Sequence, residues 1–331
     1  MDFYNILVTG GAGFVGSHLV DRLLQTQGTK VVILDNFFLG KMSNIKNAMA
    51  KGALLYREDA RRLPVLENVI KREGIDLIYN LATQPLNYSF TDPYGAYMTS
   101  VEIAHNLAWI LKNGGYKRLV QFSSSEVYGN ATTPYMDETH PFWPTTPYAA
   151  GKASADLSLQ SWINLFNLDI TILRPFNLYG ERQNTGAYAA VIPITIKRIL
   201  NGEPPIIEGD GEQTRDLTYV EDVIDATILY RSQEPDPEIP RPGFPSTKTT
   251  INLGQGEGFR IIDIIRTISK LLDYYGEEER KPARVADVRN HRAAIGKAEM
   301  VLKWKPKTPL TVGLRRTIEW YKLPETLRSE G

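Results

Sequence analysis

The sequence predicts an α/β fold, a doubly wound parallel sheet with a smaller C-terminal mixed α/β unit. Three observations carry the prediction. Short apolar runs alternate with longer helical patterns through the first 125 residues; a glycine-rich turn joins the first run to the first helix; and the rhythm changes after residue 176 to helices with scattered short strands. Such alternation is βαβ repetition, in which crossover helices cover both faces of a parallel sheet.

In chain order, residues 5–9 (NILVT), 30–34 (KVVIL), 53–56 (ALLY), 75–80 (IDLIYN) and 118–122 (RLVQF) read as buried strands, each a short apolar run. Helical stretches at 14–27, 62–73 and 93–113 lie between them, and a sixth strand, 168–173 (LDITIL), follows the helical stretch 147–167. The run EPDPEIPRPGFPSTK at 234–248 is an exposed loop by its proline content. The expected division is a cofactor domain over 1–175 with a return segment about 216–254, and a substrate domain from 176–215 and 255–331.

Composition excludes several functions. Lys+Arg and Asp+Glu both number 38, so no net field steers the chain to nucleic acid or an anionic membrane, and any anion is bound locally. With no Cys there is no disulfide, thiol nucleophile or Cys metal site, and the four His (His18, His105, His140, His291) are too scattered to suggest a metal cluster. No signal-like start or apolar run of membrane-spanning length is present, so the expected location is the cytoplasm.

The turn TGGAGFVG, residues 9–16, follows a strand and opens a helix. Gly10, Gly13 and Gly16 let the backbone turn tightly, let a pyrophosphate approach the amides at the positive helix end, and let the helix pack close to the sheet. Asp35 closes the second strand, where a carboxylate can bind a ribose diol and repel a 2′-phosphate. The cofactor expected on this Rossmann-type pattern is NAD. In PYAAGKASADL, Tyr148 and Lys152 share one helix face at i and i+4, so the ammonium lies alongside the phenol and, with the nicotinium charge, favours the phenolate. A tuned phenol is a general base.

TGGAGFVG, Asp35, Asp59, SSSEVYG, PYAAGK, RPFNLYG and GDGEQTRDLTYVEDV, in this order, resemble the extended short-chain dehydrogenase/reductases that act on nucleotide sugars. The resemblance runs to KPKTPLTVGLRRTIEWY near the C-terminus. It implies that Tyr148 is the base, Lys152 its partner and Ser124 the hydroxyl that holds the sugar oxygen. The implied cofactor set is Gly10, Gly13, Phe14, Val15, Gly16, Asp35, Asn36, Asp59 (at the adenine), Ala60, Leu81, Ala82, Thr83 and Ser100, with Tyr148 and Lys152. The implied substrate set is Gln84, Ser124, Ser125, Asn177, Arg182, Arg215, Arg284 and Asp287, of which Asn177, Arg215, Arg284 and Asp287 match positions that hold the nucleotide diphosphate and its ribose. The sequence departs from the family pattern at Asn80, Ser100, Ala286 and Ala294. A homodimer is also implied, through the helices containing 101–111 and 157–168, which carry Trp109 and Trp162.

The shared first step is oxidation at the sugar C4: Tyr148 takes the hydroxyl proton and the hydride goes to NAD. Three reactions branch from the 4-keto sugar. A 4-epimerase turns the ketone over, a 4,6-dehydratase removes the C5 proton and expels the C6 hydroxyl, and a glucuronate decarboxylase loses CO₂. Glu126 in SSSEVYG matches the carboxylate of the dehydratases and decarboxylases, where epimerases mostly carry a small residue. Ser125 stands where glucose dehydratases keep an Asp, and mannose and N-acetylglucosamine dehydratases share the Ser. The decarboxylase Arg falls on His291, with Arg292 beside it, and YGERQNTGAYAAVIP resembles dehydratases and epimerases more than decarboxylases. The order of expectation is dehydratase, epimerase, decarboxylase, on a UDP-, dTDP- or GDP-linked sugar. A non-catalytic NAD(H)-sensing protein is the alternative from a different class.

Overall fold

The computed structural model describes residues 4–231, 250–284 and 287–324. The loop expected at 234–248 and the departure at Ala286 lie outside them. The first half alternates β1 (Asn5–Thr9), α1 (Phe14–Leu23), β2 (Lys30–Leu34), α2 (Met42–Ala50), β3 (Leu54–Tyr56), α3 (Leu63–Glu73), β4 (Leu77–Asn80), α4 (Pro93–Lys112), β5 (Arg118–Phe122), α5 (Pro147–Phe166) and β6 (Ile170–Pro175). There follow β7 (Asn177–Tyr179), α6 (Val191–Leu200), β8 (Ile206–Glu208), β9 (Thr214–Arg215), β10 (Leu217–Tyr219), α7 (Val220–Arg231), β11 (Thr250–Leu253), β12 (Phe259–Arg260), α8 (Ile261–Leu271), β13 (Glu279–Lys281), α9 (Gly296–Leu302) and α10 (Leu310–Lys322).

Seven strands form one parallel sheet in the order β11-β6-β5-β4-β1-β2-β3. Alternation along each strand decides which helices it meets. Leu7, Val32 and Ile78 pack with Leu66 of α3, Ile103 of α4 and Leu159 of α5, whereas Ile6, Val8 and Ile33 pack with Leu19 of α1, Ile45 of α2 and Val223 of α7. Both faces are therefore buried, as the apolar runs require. Strand order reverses at β1, whose neighbours β2 and β4 lead away in opposite directions, and the C-terminal ends of such strands open a crevice. The second half supplies three two-stranded pairs, β7 with β10, β9 with β12 and β8 with β13.

Some bounds differ from expectation. Helix α1 stops at Leu23, with Leu24 as its C-cap still packed on the core, and the chain turns through Gly28, at φ 80°. Helix α2 lies where no element was expected, and β11 adds a seventh strand beside β6. Two capping bonds set the start of the long helices: Asp92 accepts from Gly95 N at 2.9 Å for α4, and Thr146 Oγ1 accepts from Ala149 N at 3.2 Å for α5. The second cap puts Tyr148 in the first turn of α5 and Lys152 one turn on.

Candidate functional site

A cavity of about 440 Å³ opens at the β1/β4 crevice. Gly10 has φ 70°, and a Cβ there would lie 2.8 Å from Ala82 N; one on Gly16 would strike Gly10 O. The turn thus leaves bare backbone where a diphosphate can approach the start of α1. Asp35 is buried at the far end, its Oδ2 accepting from Ala12 N at 2.9 Å and its Oδ1 from Phe37 N at 2.7 Å. Burial raises its pKa against those two bonds, and spare lone pairs on both oxygens suit a ribose diol. At Asp59, burial is outweighed by the bonds and charge of Arg61, with Nη2 at 2.6 Å, so the carboxyl lies below its ordinary value. Phe14, Val15, Asn36, Ala60, Leu81, Ala82 and Thr83 also border this cavity. Ser100 does not; its Oγ lies 3.4 Å from Thr83 Oγ1, one step behind the wall. Asn80 is buried between Thr9 Oγ1, at 2.5 Å, and Gln121 Oε1, at 2.7 Å, and braces the strand ends.

Ser124, Ser125, Glu126, Tyr148 and Lys152 border the same cavity. Ser124 caps a 3-10 turn over Ser125–Tyr128, its Oγ accepting from Glu126 N at 3.2 Å, and its side chain is near enough to Tyr148 to favour the phenolate. Burial pushes the Tyr148 phenol up to about 12, with Glu126 and Asp156 adding and Ser124 opposing. Burial brings Lys152 down to about 8 against the charge of Asp156. Lys152 Nζ lies 5.9 Å from the Tyr148 ring centre but donates to Phe122 O at 2.9 Å. The lysine is alongside the phenol as expected; the phenolate is not yet favoured, because burial opposes the charged form of each group. Glu126 is half-buried, its pKa raised by burial first and by Asp287, with Arg215 opposing.

A second cavity, of about 370 Å³, shares Leu86, Glu126, Asn177, Leu178 and Gln183 with the first and is bordered by Arg215, Arg284 and Asp287. Both arginines already meet carboxylates: Arg215 pairs with Asp287 and donates to Val288 O at 2.6 Å, while Arg284 pairs with Glu208. Gln84 borders the first cavity with Oε1 buried and unpartnered. The structure does not bring Arg182 to either cavity. Its backbone is left-handed, at φ 66°, and Nη1 meets Asp21 of α1 at 2.7 Å. His291 is fully buried, and Arg292 lies over the Tyr135 ring at 4.1 Å and donates to Gly256 O, away from both cavities.

Two features went unread in the sequence. Asp156, one turn beyond Lys152, accepts from Ser123 Oγ at 2.6 Å and from Arg174 Nη2 at 2.7 Å, all buried; the i+4 spacing from Lys152 was the available signal. Gln213 borders the second cavity with Nε2 on Glu208 O at 3.2 Å and Oε1 unpartnered; nothing local marks it. Among the described residues no group of three or more His, Asp or Glu is placed to hold a metal, and no helix is long and apolar enough to cross a membrane.

A glycine-lined crevice that runs from a buried carboxylate at the end of β2 to a tyrosine and lysine on one helix face has the form of a dinucleotide site. The residues fit NAD: no side chain fills the turn, and Asp35 would face a 2′-phosphate with a buried carboxylate. The chain belongs to the NAD-dependent epimerase/dehydratase family, whose profile matches residues 6–240. It is 32% identical over 319 residues to the UDP-glucose 4-epimerase of Mycolicibacterium smegmatis, covering 96% of this chain and 98% of that one. It is also 32% identical to UDP-glucuronic acid decarboxylase 6 of Arabidopsis thaliana, covering 96% and 89%. The dTDP-glucose 4,6-dehydratase of Streptomyces venezuelae, solved with NAD bound, superposes with a TM-score of 0.87 at 26% identity, covering 96% and 97%. The protein is an NAD-dependent enzyme of the superfamily that epimerises, decarboxylates or dehydrates nucleotide sugars.

Proposed function

We propose that the protein is a nucleotide-sugar 4,6-dehydratase acting on a UDP-, dTDP- or GDP-linked hexose. The observation that carries the reading is the position of Glu126, a carboxyl of raised pKa on the wall shared by the two cavities, near enough to Tyr148 for its charge to push the phenol up. When bound, NAD would supply reversible two-electron chemistry, taking the hydride from the sugar C4 and giving it back at C6 once water has left, so that the cofactor ends oxidised. Tyr148 withdraws the 4-hydroxyl proton, Ser124 holds O4, and Lys152 offers positive charge beside the phenol. Glu126 then takes the C5 proton, acidified by the ketone. As a carboxylic acid it returns that proton to the departing C6 hydroxyl, which leaves as water, and the resulting C5–C6 double bond is saturated by the hydride at C6 and a proton of solvent origin at C5; Ser125 is too weak an acid to expel the hydroxyl. A raised pKa suits Glu126 to both roles.

A second reading, 4-epimerisation, is favoured by the identity to the mycobacterial epimerase, and under it Glu126 is only a loop carboxylate. Decarboxylation is less favoured, because neither His291 nor Arg292 offers a cation to the cleft. The proposal includes the division into 1–175 with 216–254 and 176–215 with 255–331, a cytoplasmic setting, and a homodimer through α4 and α5. Trp109, Leu157 and Leu165 are exposed there by 43%, 56% and 75%. Incubation with NAD and a panel of UDP-, dTDP- and GDP-sugars, read by mass spectrometry, tests the reaction: loss of water supports the dehydratase, loss of CO₂ the decarboxylase, and unchanged mass with altered stereochemistry the epimerase.

A further inference from the structure

His291 is fully buried, with its ring tilted against Phe176 at a centroid distance of 5.0 Å. Its Nε2 lies 3.2 Å from the Ser125 carbonyl oxygen and its Nδ1 3.1 Å from Asn177 Nδ2. A carbonyl oxygen only accepts, so Nε2 carries the proton. Burial, then the charge of Arg215, with a smaller push from His140, hold the pKa down at about 3 despite the Ser125 bond, so the ring is neutral and Nδ1 is a bare acceptor. Asn177 must therefore turn its amide N–H to the ring. Its Oδ1 receives no donor among the described residues, and Asn177 borders both cavities.

We propose that His291 is a positioning residue for sugar recognition: it orients Asn177 so that Oδ1 accepts from a sugar hydroxyl, and it clamps the Ser125 carbonyl of the Ser124–Glu126 turn. The inference rests on the nucleotide-sugar reading and departs from the expectation that Asn177 holds the diphosphate. Phosphate oxygens only accept, so an acceptor turned to them would repel. The clamp joins the turn that carries Ser124 and Glu126 to the strand that carries Asn177, two segments far apart in sequence, so one buried ring sets the spacing of groups on both sides of the sugar.

NMR of protein labelled with ¹⁵N-histidine reads the ring directly. One protonated and one bare nitrogen are expected through the neutral range, in a signal absent from H291Q. Calorimetry with UDP, dTDP and GDP identifies the diphosphate that binds, and its glucose conjugate is then compared. H291F, which keeps an aromatic ring on Phe176 but makes neither bond, should weaken the glucose conjugate roughly three- to tenfold and leave the bare diphosphate within about twofold. H291Q, which can donate and accept, should recover most of the loss. Equal weakening of both ligands would return Asn177 to the diphosphate, and unchanged binding of both, or a ring protonated at Nδ1, would overturn the proposal. If H291F does not fold, N177D decides: a carboxylate at Nδ1 demands a second proton, so the bare-nitrogen signal should vanish, and its persistence would refute the Asn177 bond. Failure of every nucleotide sugar to bind would instead sink the nucleotide-sugar reading and leave the NMR result standing.

Discussion

Replacing Glu126 by Gln separates the two halves of the proposed reaction. The backbone N–H that Ser124 Oγ accepts is untouched by the change, and Tyr148 and Lys152 keep their partners. The Glu126 charge raises the phenol, so its removal makes Tyr148 easier to ionise, and oxidation at C4 is not impeded. Folding should not suffer either. A carboxyl whose pKa is raised in the fold contributes stability at low pH that is lost as pH rises through its unfolded and then its folded value; at neutral pH its ionised form is a cost, which Gln removes. The loss should therefore fall on the step that moves the C5 proton, at roughly two to four orders of magnitude, the usual worth of a general acid or base. On rapid mixing with NAD and substrate, NADH absorbance should appear at a near wild-type rate and persist while product formation collapses. In deuterated water the wild-type product should carry deuterium at C5. A Gln variant with full turnover, together with product free of deuterium at C5, would refute the dehydratase and move epimerisation to the front.

Tyr148→Phe should abolish the absorbance change itself, because no group then accepts the 4-hydroxyl proton; NADH formation in that variant would reassign the base. Binding of NAD should be tighter than that of NADP, with Asp35→Ser narrowing the gap, as measured by fluorescence titration; a wild-type preference for NADP would reject the role given to Asp35. Static light scattering at micromolar concentration should show a dimer, with Trp109→Glu shifting it to monomer; a wild-type monomer would reject the α4/α5 interface. His291 stays neutral in the fold to about pH 3, whereas the unfolded imidazole protonates below its ordinary value of 6.5, so stability falls as pH drops across that window. The slope is at most about 1.4 kcal/mol per pH unit. Thermal melts of wild type and H291Q should diverge below about pH 6, and parallel curves would contradict the burial of a neutral ring.

The sheet was legible because fully buried parallel strands leave uninterrupted apolar runs, and β1, β2 and β5 occupy the runs that mark them. Helix α2 was not, since MSNIKNAMA is only nine residues long and no side-chain cap at Lys41 marks its start. The two-stranded pairs escaped for another reason: β9 and β12 are two residues each, too short for any period to show. Within the site, spacing along one helix or turn was readable and long-range pairing was not. Tyr148 and Lys152 follow from i, i+4, but Arg182 is drawn to Asp21 and Arg284 to Glu208 by partners no local pattern reveals. The neutrality of His291 likewise comes from burial against Phe176 and from the charge of Arg215, both distant in sequence.

The charges around Tyr148 explain why the first step is shared and the later ones are not. In the protein alone the phenol sits at about 12, because burial and the negative charges of Glu126 and Asp156 oppose ionisation and only the Ser124 hydroxyl favours it. Lys152 cannot reverse this unaided: burial weakens its own charged form, and its ammonium is committed to Phe122 O. Asp156 keeps that ammonium charged and is itself balanced by Arg174, so the pair steadies the lysine without adding a net charge of its own. A further positive charge beside the phenol would lower its pKa into a useful range, and the cation of oxidised NAD, when bound, would supply one. Every reaction that begins by oxidising C4 needs this arrangement, so it cannot discriminate among them. Discrimination falls to the groups beyond C4, where Glu126 brings a proton acceptor to the wall between the two cavities and His291 offers no cation. The cation nearest this carboxylate, Arg215, is already paired with Asp287, so Glu126 is suited to carrying a proton from C5 to a leaving hydroxyl and the cleft is poorly suited to holding a second carboxylate, which is why dehydration is the reading proposed.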